Sequence, residues 1–191
     1  HPERFESTFR HLKTIVPCVR GLRTKRKIIP RTQRGTIFLN DQTSEVPLKS
    51  TVRGEELLFD FEGGCAGLPA ASASEGTLLV LGLLTLAHQE LRPRLFLIDG
   101  LDHGLHPKAL GELVKVLRGL LGEYSEAQII ATAHSPYLLD HLDAEEVWIS
   151  VLGQDGTANI KNIGDHPQFE KWKDEMSLGE FWSFAGEQWA V

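Results

Sequence analysis

Leu95-Phe96-Leu97-Ile98-Asp99-Gly100-Leu101-Asp102-His103-Gly104-Leu105-His106-Pro107 is the stretch that decides the fold. Four apolar residues run into acids, glycines and histidines, which is how a buried strand ends in a chemically active loop. Such a run reads as a central strand of a parallel sheet, carrying Asp99 at its carboxyl end, where open α/β sheets bind ligands.

Downstream, Leu110, Leu113, Val114, Leu117, Leu120 and Leu121 form one helical stripe, and Ala127 to Thr132 is the next strand. The strand, helix, strand order makes the two strands parallel through a right-handed crossover. Both then end on the same edge, the second in Ala133-His134-Ser135-Pro136, with Ser135 as cap and Pro136 opening a short helix to about Leu142. Upstream, Ser74-Glu75-Gly76-Thr77 caps a helix, Thr77 to Glu90, that is apolar on nearly every side. Its first turn has free N–H groups and the positive dipole end, an anion site in principle and an ordinary cap by default. Arg92-Pro93 ends it.

The rest divides by period. Residues 1–17 form an amphipathic helix (Phe5, Phe9, Leu12, Ile15, Val16) stopped by Pro17. Residues 18–62 read as an antiparallel sheet or meander of short strands, with turns at Arg53-Gly54 and Gly63-Gly64 and a small-residue loop from Gly64 to Ser72. The core is placed at 73–151. Residues 152–191 hold part of a hairpin around Asp155-Gly156 and a tail with Trp172, Trp182, Trp189, Phe169, Phe181 and Phe184, enough aromatic surface to dock on the domain or on a partner.

Composition narrows the function classes. No apolar run is long enough to span a bilayer, and Cys18 and Cys65 are too few for a disulfide framework, so a cytoplasmic setting is the default. Net charge is −6, yet Arg20, Arg23, Lys25, Arg26, Lys27, Arg31 and Arg34 follow one another with no intervening acid. Arg20, Arg23, Lys25, Arg26 and Lys27 are candidate DNA contacts, against the plainer reading of a solvated strand face.

Taken together, the Ser-x-Gly-Thr helix, the apolar strand ending in Asp99 and the Thr-x-His-Ser string resemble the carboxyl-terminal lobe of an ATP-binding-cassette type ATPase. The branch is that of the RecF, OLD and structural-maintenance-of-chromosomes (SMC) ATPases, often described as an AAA domain. The resemblance runs from about Thr51 to Val151 and implies an α/β P-loop-NTPase-like half with an antiparallel β subsheet. It implies further that Ser74, Glu75, Gly76 and Thr77 are the nucleotide-binding signature, that Asp99 is the Walker B aspartate organising Mg2+ through water, and that Asp102, His103, Gly104, Leu105 and His106 belong to the D-loop. His134 becomes the switch histidine. ATP and Mg2+ are the implied ligands, and the partners are a P-loop-bearing lobe, a second head in a homodimer, and DNA, in repair or in defence against phage. No membrane partner is implied.

Two departures qualify this. Gly100 stands where the family has a glutamate that polarises the attacking water, so hydrolysis is expected to be impaired, Asp102 being the nearest substitute. No Gly-x-x-x-x-Gly-Lys-Ser/Thr occurs in the chain. With His1 first and Met176 the only methionine, the P-loop lobe is expected upstream or on another chain, and this chain alone is expected to be inactive. The sequence shows no sign of the Toprim nuclease domain that OLD proteins carry after this lobe, so no nuclease activity is expected from this chain. Two other readings compete: a metal-dependent hydrolase using Asp99, Asp102, His103, His106 and His134, and a non-catalytic interaction module using the basic run and the aromatic tail.

Overall fold

A computed structural model describes residues 1–39, 42–91, 93–123 and 126–190. Arg92, half of the helix stop expected at Arg92-Pro93, lies outside them. The chain divides into two compact units, His1–Pro17 with Ser74–Val191, and Cys18–Ala73.

In the first unit, α1 (Pro2–Ile15) carries Pro2 in its first turn, where the lost N–H has no helical partner anyway. It buries Thr8, Leu12 and Ile15 and packs on α2 (Glu75–Ala87) and α3 (Pro107–Glu123). Burial, with Arg10 adding, lowers the pKa of the His11 imidazole. His11 Nδ1 lies 3.1 Å from Nε2 of His88 at the end of α2.

Strand β4 (Leu95–Ile98) pairs in parallel with β5 (Gln128–Ala131), and Ile98 stands opposite Ala131. On one face Phe96 and Ile129 line an apolar hollow of about 310 Å³ with Leu83, Leu117 and Leu120 of α2 and α3. The other face is bare. Leu95 is 46% exposed, Leu97 72% and Ile130 61%, so the expectation of a fully buried central strand is corrected. Parallel strands are apolar on both faces and need cover on both, and here the helices cover one. α2 is likewise not buried all round: Gly82, Thr85 and Leu86 are exposed.

After β5 come α4 (Pro136–Leu139), the antiparallel hairpin of β6 (Trp148–Leu152) and β7 (Ala158–Asn162), and helices α5 (Phe169–Trp172) and α6 (Leu178–Ala185). Asp155 Oδ1 accepts from Thr157 N, and Gly156 takes φ 82° to complete the expected turn. The aromatic tail docks on its own domain. Phe181 is buried with Val147, Ile149 and Ile163, and Phe169, Trp172, Trp182 and Trp189 pack around them. Asp140 Oδ1 accepts from Gly179 N at 2.8 Å, tying the first turn of α6 to the end of α4.

The second unit is the expected antiparallel sheet, but it is built on two long strands where short ones were expected. Strands β1 (Val19–Leu39) and β2 (Gln42–Phe61) form one long antiparallel ribbon, joined at its base by β3 (Cys65–Pro69) in a stretch expected to be loop. Arg53 and Gly54 are not a turn; they pair with Ile28 and Lys27. Pro30 and Pro47 also lie within strands, because both strands have an open edge over most of their length, where a missing N–H breaks no ladder. The Gly63-Gly64 turn is present, with φ 87° and 86°. Val19, Leu58 and Phe59 are buried at the base. Asp60 there accepts from Gly67 N and Arg23, contacts that together lower its carboxyl pKa. Cys18 and Cys65 are free thiols.

Candidate functional site

The parallel pairing of β4 and β5 sends both chain continuations to one edge. The ladder runs a little further, with Thr132 N donating to Ile98 O at 2.9 Å and Leu101 N to Thr132 O at 2.9 Å. This sets Asp99 beside Thr132. The Thr132 hydroxyl donates to Asp99 Oδ1 at 2.5 Å and accepts from Gly100 N at 2.9 Å. Asp99 Oδ2 has no protein partner among the described residues, so this exposed carboxylate keeps a hard oxygen for a cation or its water shell.

Gly100 turns the chain at φ 70°, a conformation that costs other residues strain. His103 N closes the turn on Gly100 O at 2.9 Å, and Gly104 takes φ 67°. His106 then caps the next helix, its Nδ1 accepting from Lys108 N at 3.2 Å. Asp102 Oδ2 accepts from the backbone N–H of His134 at 3.1 Å, which joins the loop after β4 to the loop after β5.

The tip of α2 reaches the same loop. Ser74 Oγ accepts from Thr77 N at 3.2 Å and lies 2.8 Å from Thr77 Oγ1, the expected cap. Gly76 packs directly on Gly104, so that a Cβ at Gly76 would fall 2.3 Å from Gly104 O. Glu75 Oε2 sits 3.3 Å from His103 Nε2. Ser74 to Thr77, Asp99 to His106 and Thr132 to His134 are therefore linked through contacts within one unit. A helix N-terminus, a carboxylate and a histidine near one edge are residue types that can serve a phosphate and its metal.

Other expectations fare differently. The Ser135 side chain makes no capping bond, although its residue opens α4. Among the described residues no three His, Cys, Asp or Glu side chains are placed to hold a metal. Asp102 and His106 bond to backbone N–H groups, and His103 is paired with Glu75, so the five residues of the hydrolase reading are not gathered on one point. Arg20, Arg23 and Lys27 of the basic run each pair with an acid, Glu62, Asp60 and Glu56 respectively. Thr132, which enters the sequence reading only as the end of the second strand and the first residue of the Thr-x-His-Ser string, is the residue that the strand pairing sets against Asp99.

The family model described as "AAA domain, putative AbiEii toxin, Type IV TA system" matches residues 19–140. A solved SMC ATPase structure, from work on the ATP-driven dimerization and DNA stimulated activation of SMC ATPases, is similar with a TM-score of 0.51. Its identity is 14%, over 89% of this chain and 91% of that one. An Smc head domain with an extended coiled coil, bound to the C-terminal domain of ScpA from Pyrococcus furiosus, gives 0.47 at 16% identity, over 89% of this chain and 38% of that one. At 14% identity the likeness to the first of these is one of fold. No curated protein matches the sequence. No helix among the described residues is long and apolar enough to cross a membrane.

Proposed function

The chain belongs to this AAA-domain family, and from that premise we propose that it is a lobe of an ABC-type ATPase head of the RecF, OLD and SMC kind, acting on ATP held mainly by a P-loop lobe. The observation that carries the reading is the linkage of the α2 tip, Asp99 and His134 through the loop from Gly100 to His106. A second support is the bare apolar face of β4 and β5, which calls for a further layer of structure.

In this reading Asp99 is the Walker B aspartate and would hold Mg2+ through water, with the Thr132 hydroxyl fixing its rotamer. Bound Mg2+ would neutralise charge on the phosphates. His134 is the switch histidine, positioned by the Asp102 bond to its backbone, and would donate to the terminal phosphate. Ser74 to Thr77 would cover the triphosphate carried by a second head. Gly100 supplies no carboxylate, and Asp102 is engaged with His134, so water activation is weak and ATP acts chiefly as the glue of a dimer. Loss of such a base lowers rates by about two to four orders of magnitude.

The SMC ATPase of similar fold dimerises with ATP and is activated by DNA. Carried over, this supports a homodimer of heads acting on DNA in a cytoplasmic repair or phage-defence system. The test is sedimentation of the chain joined with its P-loop lobe. ATP should convert monomer to dimer, and Ser74→Arg should block that step while nucleotide still binds. A dimer that forms equally without ATP, or with Ser74→Arg, would overturn the reading.

A further inference from the structure

The β1–β2 ribbon has features that the ATPase reading does not use. From Thr24 to Leu39 it runs roughly 50 Å at 3.4 Å per residue, as two strands alone. Such an isolated hairpin is marginal in water and calls for a partner. Its charge is opposite to that of the rest of the chain. Residues 19–61 hold nine basic and five acidic residues, whereas the others hold eleven basic and twenty-one acidic.

The register resolves where that charge is available. Cross-strand partners share a face and successive pairs alternate. Toward the base, Arg23 and Lys27 are neutralised by Asp60 and Glu56, and toward the tip Arg34 pairs with Glu45. Between them, one face presents Arg26, Arg53 and Lys49, at the levels of Glu55, Ile28 and Thr32. All three cations are exposed, and none is in an ion pair among the described residues. The exposed hydroxyls of Thr24, Thr32 and Thr51 share this face, and Glu55 is the one acid beside them.

We infer that this ribbon is a DNA-binding arm that contacts the phosphates of a B-form duplex through Arg26, Lys49 and Arg53. A two-stranded ribbon fits the major groove of B-DNA, whereas the deep, narrow major groove of an RNA duplex does not admit it. The stretch singled out in the sequence is thus displaced outward: its Arg20, Arg23 and Lys27 are spent on acids, and two of the three contacts come from the opposite strand. The inference stands on the ribbon alone and does not need ATP.

The test uses the whole chain and a fluorescein-labelled 30-base-pair DNA duplex, with binding followed by anisotropy at several salt concentrations. Replacing Arg26, Lys49 and Arg53 together by Ala should weaken binding about tenfold or more and flatten the slope of log K against log salt by about 2.7, at 0.9 per phosphate contact. These side chains are exposed, and an unchanged melting temperature verifies the fold. A control removing the same charge elsewhere, Lys13, Lys115 and Lys171 to Ala, should change affinity by less than about twofold, and an RNA duplex of the same length should bind more weakly. No measurable DNA binding, equal losses in the two triple variants, or equal affinity for DNA and RNA would each overturn the inference.

Discussion

The Thr132 hydroxyl donates to Asp99 Oδ1 at 2.5 Å while accepting from Gly100 N at 2.9 Å, so one side chain on β5's end orients the acid on β4's end and pins the loop that follows. A hydroxyl used in both directions is hard to replace. Thr132→Val should cost about 1 kcal/mol in urea unfolding, the worth of a typical hydrogen bond. Thr132→Ser, which keeps the hydroxyl, should recover most of it.

Gly100 adopts φ 70°, and a Cβ there would meet only the His103 side chain, at ordinary contact distances of 3.5 Å from Cβ and 3.8 Å from Nδ1, so strain rather than space opposes a side chain. Gly100→Glu should therefore destabilise the chain by about 1 kcal/mol. In a head completed by its P-loop lobe the same substitution should raise ATP turnover by about two orders of magnitude. Turnover that stays flat would show that the missing carboxylate does not limit the rate.

The contact of Gly76 with Gly104 predicts opposite results for two glycines of one helix. Gly76→Ala drives a Cβ against the Gly104 carbonyl and should cost about 1–3 kcal/mol as the loop is pushed aside. Gly82, exposed in the same helix with nothing within 4 Å of its Cβ position, should gain about 0.5–1 kcal/mol on replacement by Ala. Thermal melts of the two variants check the pair.

The His11 and His88 rings predict acid sensitivity where α1 meets α2. Burial lowers the folded-state pKa of His11, Arg10 adds to this and Glu123 opposes it. As pH falls through about 6.5, the unfolded chain takes up this proton before the folded one. Stability should therefore decline below that pH and level off once the folded form is protonated. His11→Gln should show a smaller loss of melting temperature between pH 7.5 and 5.5 than the parent chain.

Much of the parallel core was legible. The stripe on α3 has the helical period, while the apolar run from Leu95 to Ile98 is marked as a strand by its shortness and by the Pro and Gly that flank it, and β4 falls where that run placed it. The ribbon was not legible, since Pro30, Pro47 and Gly54 signal breaks in ordinary sheets and are tolerated where both strands have open edges. The exposure of Leu97 was hidden for a related reason: apolar character records that a strand is to be covered, not which chain covers it. At the candidate site, Asp99 and His134 stand out by residue type, while Thr132, present in the Thr-x-His-Ser string, gains its bond to Asp99 only through the strand pairing.

The central claim is that Asp99 and His134 belong to an ATP site that a second lobe completes. Titration of a fluorescent ATP analogue with Mg2+ tests it most directly, on the chain alone and on the chain joined with its P-loop lobe. The account predicts little binding alone, saturable binding with the lobe, and a loss of about tenfold or more in Mg2+-dependent affinity for Asp99→Ala, on the scale of a removed metal-positioning group. Binding of equal strength without the lobe, or indifference to Asp99→Ala when the lobe is present, would contradict it.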